Sequence, residues 1–223
     1  MQSLTKQFVK EVERKILTGE WKAGEKIPAL RVLAEQFHVS RSVINAGIVE
    51  LCNNGYLVTV PRRYIIVSDW RKTGNFALLN GLMENELCDV DFFDDFLEGR
   101  MTIETAIARK AAEARTEEDL AGIEAVLKSE AECVSPEQYA ESDREFHNAI
   151  AVASHNMIYS VILNSFNSVS DKFVREFYNK KIDLEFVSKT HSELYEAIKG
   201  KRPDDAEKVM RKLLAHGENE LKK

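Results

Sequence analysis

The 223 residues are 44% hydrophobic and 30% charged, an ordinary globular balance, and they are long for one core but comfortable for two. No apolar run approaches the ~20 residues that span a bilayer. The start, Met1-Gln2-Ser3-Leu4-Thr5-Lys6, has no signal-like apolar region, so the expectation is a cytoplasmic protein with no membrane partner. Cys52, Cys88 and Cys133 lie far apart and are odd in number, which argues against a disulfide framework and for reduced thiols. The net charge of −6 is unevenly spread: residues 1–70 carry 10 Lys/Arg against 7 Asp/Glu, and the remaining 153 carry 21 against 30. A mildly basic head on an acidic body suits a small polyanion-binding module joined to a larger part with other duties.

In chain order, Leu4 to Thr18 reads as an amphipathic helix with Phe8, Val12, Ile16 and Leu17 on one face. A loop punctuated by Gly19 and Gly24 leads to Pro28 at the mouth of a short helix, Leu30 to Phe37. His38-Val39 is a tight turn, and Ser40 caps a third helix that runs to about Asn53 and ends at Asn53-Asn54-Gly55. Tyr56–Val60 and Tyr64–Val67 are β-branched runs around Pro61-Arg62-Arg63, a small hairpin. Residues 68–74 read as a linker. From Asn75 the strand signal vanishes, and apolar residues recur at helical spacing over 75–87, 91–114, 117–132, 136–154, 157–179, 182–200 and 203–221. Thr116 before three acidic residues, Ser135-Pro136, Gly200 and Arg202-Pro203 mark the breaks. Long helices with short links make an antiparallel bundle. The expected fold is mainly α: a winged helix-turn-helix over 1–67, the linker 68–74, and an all-α antiparallel bundle over 75–223.

Helix, helix, three-residue turn, helix and two-stranded ribbon is the winged helix-turn-helix order. Leu33, Ala34, Val39, Val43 and Ile44 are spaced to pack the two helices of the motif. Ser40, Arg41, Ser42 and Asn45 fall at the exposed start of the recognition helix. Hydroxyls at a helix N-terminus suit phosphate, while Arg and Asn can reach base edges. The segments Gly19-x-Trp-x-x-Gly-Glu-Lys-Ile-Pro28, Arg31-x-Leu-Ala-Glu-x-Phe-x-Val-Ser-Arg41 and Gly55-Tyr-Leu-Val resemble the GntR family of bacterial regulators. The resemblance implies that Arg31, Ser40, Arg41, Ser42 and the wing tip, Arg62 and Arg63, contact double-stranded operator DNA. Ala29-Leu30, Asn45-Ala46 and the wing depart from the family's usual residues, so the operator does not carry over from relatives.

In the C-terminal part, Asp143 and His147 are i, i+4 on one helix and point the same way. With a histidine from another helix they would form an N/O site for a divalent metal. Leu97–Glu104, Asp143–His147 with Ala153–Asn156, and His191–Ile198 with Ala206 and Met210 resemble the helical FCD effector domain of the FadR branch. The resemblance implies that 75–223 is an effector-binding and dimerisation domain, and in metal-binding members it implies one Asp, three His and an effector carboxylate held by an arginine. Asp143, His147 and His191 match three ligands, and Arg100 matches the arginine. The fourth position is Leu213. His216 stands three residues on, displaced by about 60° and ~4.5 Å, and is the remaining candidate ligand. The implied cofactor is a divalent metal such as Zn or Ni; otherwise there is none. Thr73–Asn80 and Ile158–Asn164 instead resemble the fatty-acid-responsive member, which implies an acyl-CoA effector without metal.

The reading is a ligand-responsive regulator, a repressor of a metabolic operon, acting as a homodimer with a small carboxylate effector. One short recognition helix reads too few bases alone, which is why two copies are expected. His38 and His155 read as turn and loop residues. A metal-dependent hydrolase is the competing class, but no separate base, nucleophile or oxyanion hole accompanies the histidines. The expectation is therefore no enzyme and no catalytic residues.

Overall fold

A computed structural model describes residues 3–61, 63–84, 90–180 and 183–222, and the chain divides into two compact units, residues 1–89 and 90–223. In the first, helices α1 (Leu4–Leu17), α2 (Leu30–Gln36) and α3 (Arg41–Asn53) precede an antiparallel ribbon of β1 (Leu57–Val60) and β2 (Tyr64–Val67). Ser3 and Ser40 cap α1 and α3 by accepting from Lys6 N and Val43 N. Phe8, Val12, Leu33, Ile44 and Leu51 form the centre of the core. Gly47 lets α3 approach α1 closely, because a methyl there would overlap the Phe8 ring. His38 closes the turn between α2 and α3 at φ 54°, the left-handed region. The ribbon register pairs Leu57 with Val67 and Val60 with Tyr64. The loop before α2 extends it: Ile27 N donates to Ile65 O at 3.1 Å, and Val67 N to Glu25 O at 2.9 Å.

The stretch expected to be a linker is built into this unit. It contains α4 (Trp70–Thr73), and Ser68 Oγ and Thr73 Oγ1 both donate to the carbonyl of Gly55, the latter at 2.8 Å. Asn75 Nδ2 donates to Asn53 O at 2.8 Å. The next helix, α5 (Phe76–Glu84), expected to open the bundle, instead packs on α1. Leu78 is buried in the core of the first unit, and Gly81 sits so tightly against Tyr56 and Glu13 that a side chain there would clash. The division therefore falls at residues 89 and 90, later than the composition of 68–74 implies. Polar residues read as a link when their hydrogen bonds to distant carbonyls are not visible.

The second unit is a bundle of α6 (Val90–Ala114), α7 (Glu117–Glu130), α8 (Pro136–Ala153), α9 (Met157–Asn179), α10 (Leu184–Lys199) and α11 (Pro203–Leu221). Capping boxes Thr116/Asp119 and Ser135/Gln138 start α7 and α8. His155 turns the chain between α8 and α9 at φ 50° and bonds Asp119 through Nε2 at 2.8 Å. α6 lies at the centre, against α8, α9, α10 and α11, and its Ala108, Ala111 and Ala112 are fully buried, which admits close helix neighbours. Cys52 and Cys133 are free thiols; Cys88 lies outside the described residues. Among the described residues no helix is long and apolar enough to cross a membrane.

Candidate functional site

Two surfaces carry chemistry, one in each unit. In the first, Arg41, Ser42 and Asn45 are exposed along the first turns of α3. The hydroxyls of Ser40 and Ser42 lie 2.7 Å apart, which orients both at the helix N-terminus. Arg31 is 70% exposed and only loosely engaged with Glu35 at 3.4 Å, so its guanidinium is free to meet a phosphate. Arg63 is exposed at the tip of the ribbon; Arg62 lies outside the described residues. Lys26, to which the resemblance assigns no role, rests its ammonium 4.1 Å from the Tyr64 ring centroid and adds a cation to the ribbon edge. Its link to β2 is a single bridge with Ile66, which has no sequence signature.

In the bundle, α8 supplies Asp143 and His147 and α10 supplies His191. One donor atom from each lies within 4.8 Å of the others. His147 Nε2 is 4.0 Å and His191 Nε2 3.7 Å from the Asp143 carboxylate. The far side of each imidazole is fixed by a buried carboxylate. Glu104 of α6 meets His147 Nδ1, and Glu130 of α7 meets His191 Nδ1 at 3.0 Å. Phe146 stacks on the His191 ring with centroids 4.1 Å apart, and Tyr178 of α9 donates to Asp143 Oδ1 at 3.0 Å. Each Nδ1 is engaged by a carboxylate, so each Nε2 faces the centre as an open donor atom to a cation.

The electrostatics keep the Glu104–His147 pair ionised although it is buried. Burial alone would raise the Glu104 carboxyl, but the facing charges of Arg100 and His147 outweigh it and hold it at about 2. Burial opposes charge on His147, yet Glu104 and Asp143 together raise it above the ordinary imidazole value. Burial first, and then Asp143, push the Tyr178 phenol upward, so it stays a donor. Arg100 Nε bonds Glu104 at 2.7 Å, and the two form a chain from arginine to carboxylate to imidazole. Such concentrated buried charge is costly unless paired, which makes this cluster the candidate site of the bundle.

The residues fit a divalent cation. His191 is fully buried and its Nε2 has no hydrogen-bond partner among the described residues. Two imidazole nitrogens and a carboxylate oxygen form a donor set suited to Zn or Ni, at separations close to the roughly 3–4 Å between ligands of one ion. His216 does not join this group. It lines the adjoining cavity of about 60 Å³ from α11, together with Arg100, Asp143 and His147. Leu213, at the position where the resemblance implies the fourth ligand, is buried on the same wall. The resemblance assigns no role to Glu104 or Glu130. Glu104 at least stands four residues after Arg100, an ion-pair spacing; Glu130 carries no local signal.

A winged helix-turn-helix with an exposed, cap-ordered recognition helix, carried with a helical bundle around a buried polar centre, defines a two-part DNA-binding transcription regulator. Residues 4–67 match the bacterial regulatory proteins of the gntR family, and residues 95–216 match the FCD domain. The chain belongs to the GntR family of bacterial regulators with an FCD domain, a family of DNA-binding regulators and not of enzymes. The HTH-type transcriptional regulator LutR of Bacillus subtilis is 28% identical over 207 residues, covering 90% of this chain and 92% of that one. The galactonate operon transcriptional repressor of Escherichia coli is 27% identical over 223 residues, covering 98% and 96%. A solved structure of Lar, described as controlling the agr system of Listeria monocytogenes, shares the fold at TM-score 0.63 and 19% identity, covering 100% of this chain and 98% of that one.

Proposed function

We propose that this chain is a homodimeric repressor released from its operator by a small hydroxycarboxylate, bound beside a divalent metal on Asp143, His147 and His191. The observation that carries the sensing half is the pair of imidazoles, each held through Nδ1 by a buried glutamate, with the His191 Nε2 lacking a hydrogen-bond partner among the described residues. A bound cation there would supply fixed positive charge for a carboxylate. Arg100, on the wall of the same cavity, adds a second cation for that anion. The galactonate operon repressor, similar over nearly its whole length, is named for a 2-hydroxy acid operon, which favours that ligand class and a repressing role. Arg100, Asp143 and His147 on this wall favour the charged carboxylate of a small acid over the neutral carbonyl of an acyl thioester.

The DNA half rests on Arg31, Ser40, Arg41, Ser42, Asn45 and Arg63 around the exposed start of α3 and the ribbon tip; the Arg62 assignment lies outside the described residues. Hydroxyls and Arg31 position the phosphates, and Arg41 and Asn45 read base edges. Two copies bring two recognition helices to the half-sites of a palindrome. The ligand acts by favouring a bundle arrangement whose heads no longer match the half-site spacing.

Selection from a random duplex pool, followed by gel shift, tests the scheme. The selected sites should be palindromic. D-galactonate or L-lactate with Zn should release the metal-loaded protein, and Arg41→Ala should lose DNA affinity by 10-fold or more while binding the acid normally. Unchanged DNA affinity in Arg41→Ala, or an acid that tightens DNA binding, would count against the reading.

A further inference from the structure

We propose that His216 is a specificity-determining residue that hydrogen-bonds the bound acid, and that it is not a ligand of the metal. The inference rests on the hydroxycarboxylate reading above and adds to it the group that recognises the acid's body.

Four observations lead there. The compact donor group contains Asp143, His147 and His191 without His216. His216 nevertheless lines the cavity that Arg100, Asp143 and His147 open onto. Its Nε2 is buried and has no hydrogen-bond partner among the described residues, so a polar atom there calls for one from a ligand. Its ring is held by Phe186, with centroids 4.1 Å apart, and lies edge-on to Phe177 at 6.1 Å, so the imidazole is a fixed group rather than a roaming one. Leu213 precedes it by three residues on α11, about 4.5 Å along the helix axis, and the two side chains leave the helix in directions about 60° apart. The wall thus presents an apolar leucine where a ligand to the ion would stand, and an imidazole one step further along.

Most of the lining around His216 is apolar, including Leu97, Phe177, Leu214 and Leu221. A polar atom of the ligand that reaches this wall would be desolvated and would need the imidazole. A neutral imidazole can donate to or accept from a hydroxyl, and an acid lacking that hydroxyl would leave Nε2 unpaired, which is how a buried polar site rejects an analogue. The ligand class is therefore a carboxylic acid with a hydroxyl beyond the carboxylate end, such as a sugar acid. A short acid ending in a methyl group would bind without help from His216.

The test is calorimetry on full-length protein and its His216→Ala, His216→Gln and Leu213→His variants, each first checked for an unchanged helical spectrum and melting temperature. Zinc is titrated against a competing chelator, then D-galactonate and L-lactate are titrated into zinc-loaded protein. The expected result is zinc affinity unchanged within about threefold in both His216 variants. Galactonate affinity should fall 10-fold or more in His216→Ala, be partly restored in His216→Gln, and lactate affinity should move by less than threefold. Leu213→His should tighten zinc by 10-fold or more. Loss of zinc affinity in His216→Ala would make His216 a ligand and overturn the inference, as would galactonate affinity that does not change. If the parent protein binds zinc but neither acid, the hydroxycarboxylate reading itself fails, and this inference with it.

Discussion

Glu104 and Glu130 each hold one histidine by its Nδ1, from helices 43 and 61 residues away in sequence. Carboxylates that orient a metal-binding imidazole commonly change metal affinity by roughly 10- to 100-fold when removed. Glu130→Gln should therefore weaken zinc binding by about 10-fold or more without touching the ion, read by chelator competition. Asp119 makes a different prediction. Burial raises its carboxyl, but its bonds to Thr116 and His155 outweigh this and lower it below its usual value. A carboxylate lowered in the folded state contributes stability that is complete above its unfolded pKa and is lost as pH falls through the folded one. Asp119→Ala should cost about 1 kcal/mol at neutral pH, typical of a lost cap. The difference from the parent protein should shrink as the pH is taken below about 4; thermal melts over that range check it. At this scale the sequence was partly legible. Asp143 and His147 share a helix face, so spacing finds them. The glutamates escape because acidic residues are common on helices, and only the folded bundle shows which two face inward.

Helices and turns were the most readable level, because their ends carry local chemistry. Ser40, Thr116 and Ser135 each cap the helix their position implies, and Pro136 and Pro203 open helices as proline does at a first turn. What periodicity cannot tell is the partner a helix packs on. The pattern over 75–87 indicates a helix, and α5 fills Phe76–Glu84 of it, with 85–87 outside the described residues, yet α5 belongs with α1 rather than with the bundle. Its contact depends on Gly81 fitting against Tyr56, a long-range match of a small residue to a large one. The same kind of match at Gly47 gives a testable number. Gly47→Ala places a methyl into the Phe8 ring and should destabilise the first unit by about 1–3 kcal/mol through overpacking, despite the better helix propensity of alanine. Denaturant unfolding followed by the fluorescence of Trp21 and Trp70, both packed against that core, would report it.

For the whole molecule, the split of charge governs its behaviour toward DNA. A head (residues 1–89) with net +2 and a body with net −8 avoid indiscriminate attraction and leave affinity to a few placed cations. Binding by such a protein weakens with salt in proportion to the phosphates neutralised, by about one unit of log–log slope for each. Arg31→Ala in a dimer removes two such contacts and should reduce the slope by about 2, uniformly across operator variants. Arg41→Ala should instead blur the choice among them. Fluorescence anisotropy on selected and scrambled duplexes at several salt concentrations separates the two.

The bonds from Ser68 and Thr73 to the Gly55 carbonyl, with Leu78 seated in the same core, also bear on how such heads and bodies can be exchanged. The family match to the head ends at residue 67, but a graft cut there would strip the head of a helix it uses as its own floor and leave Tyr56 facing water. A junction after residue 89 would carry that floor along. Shuffling heads between regulators, in the laboratory or by recombination, should succeed at the later seam and fail at the earlier one.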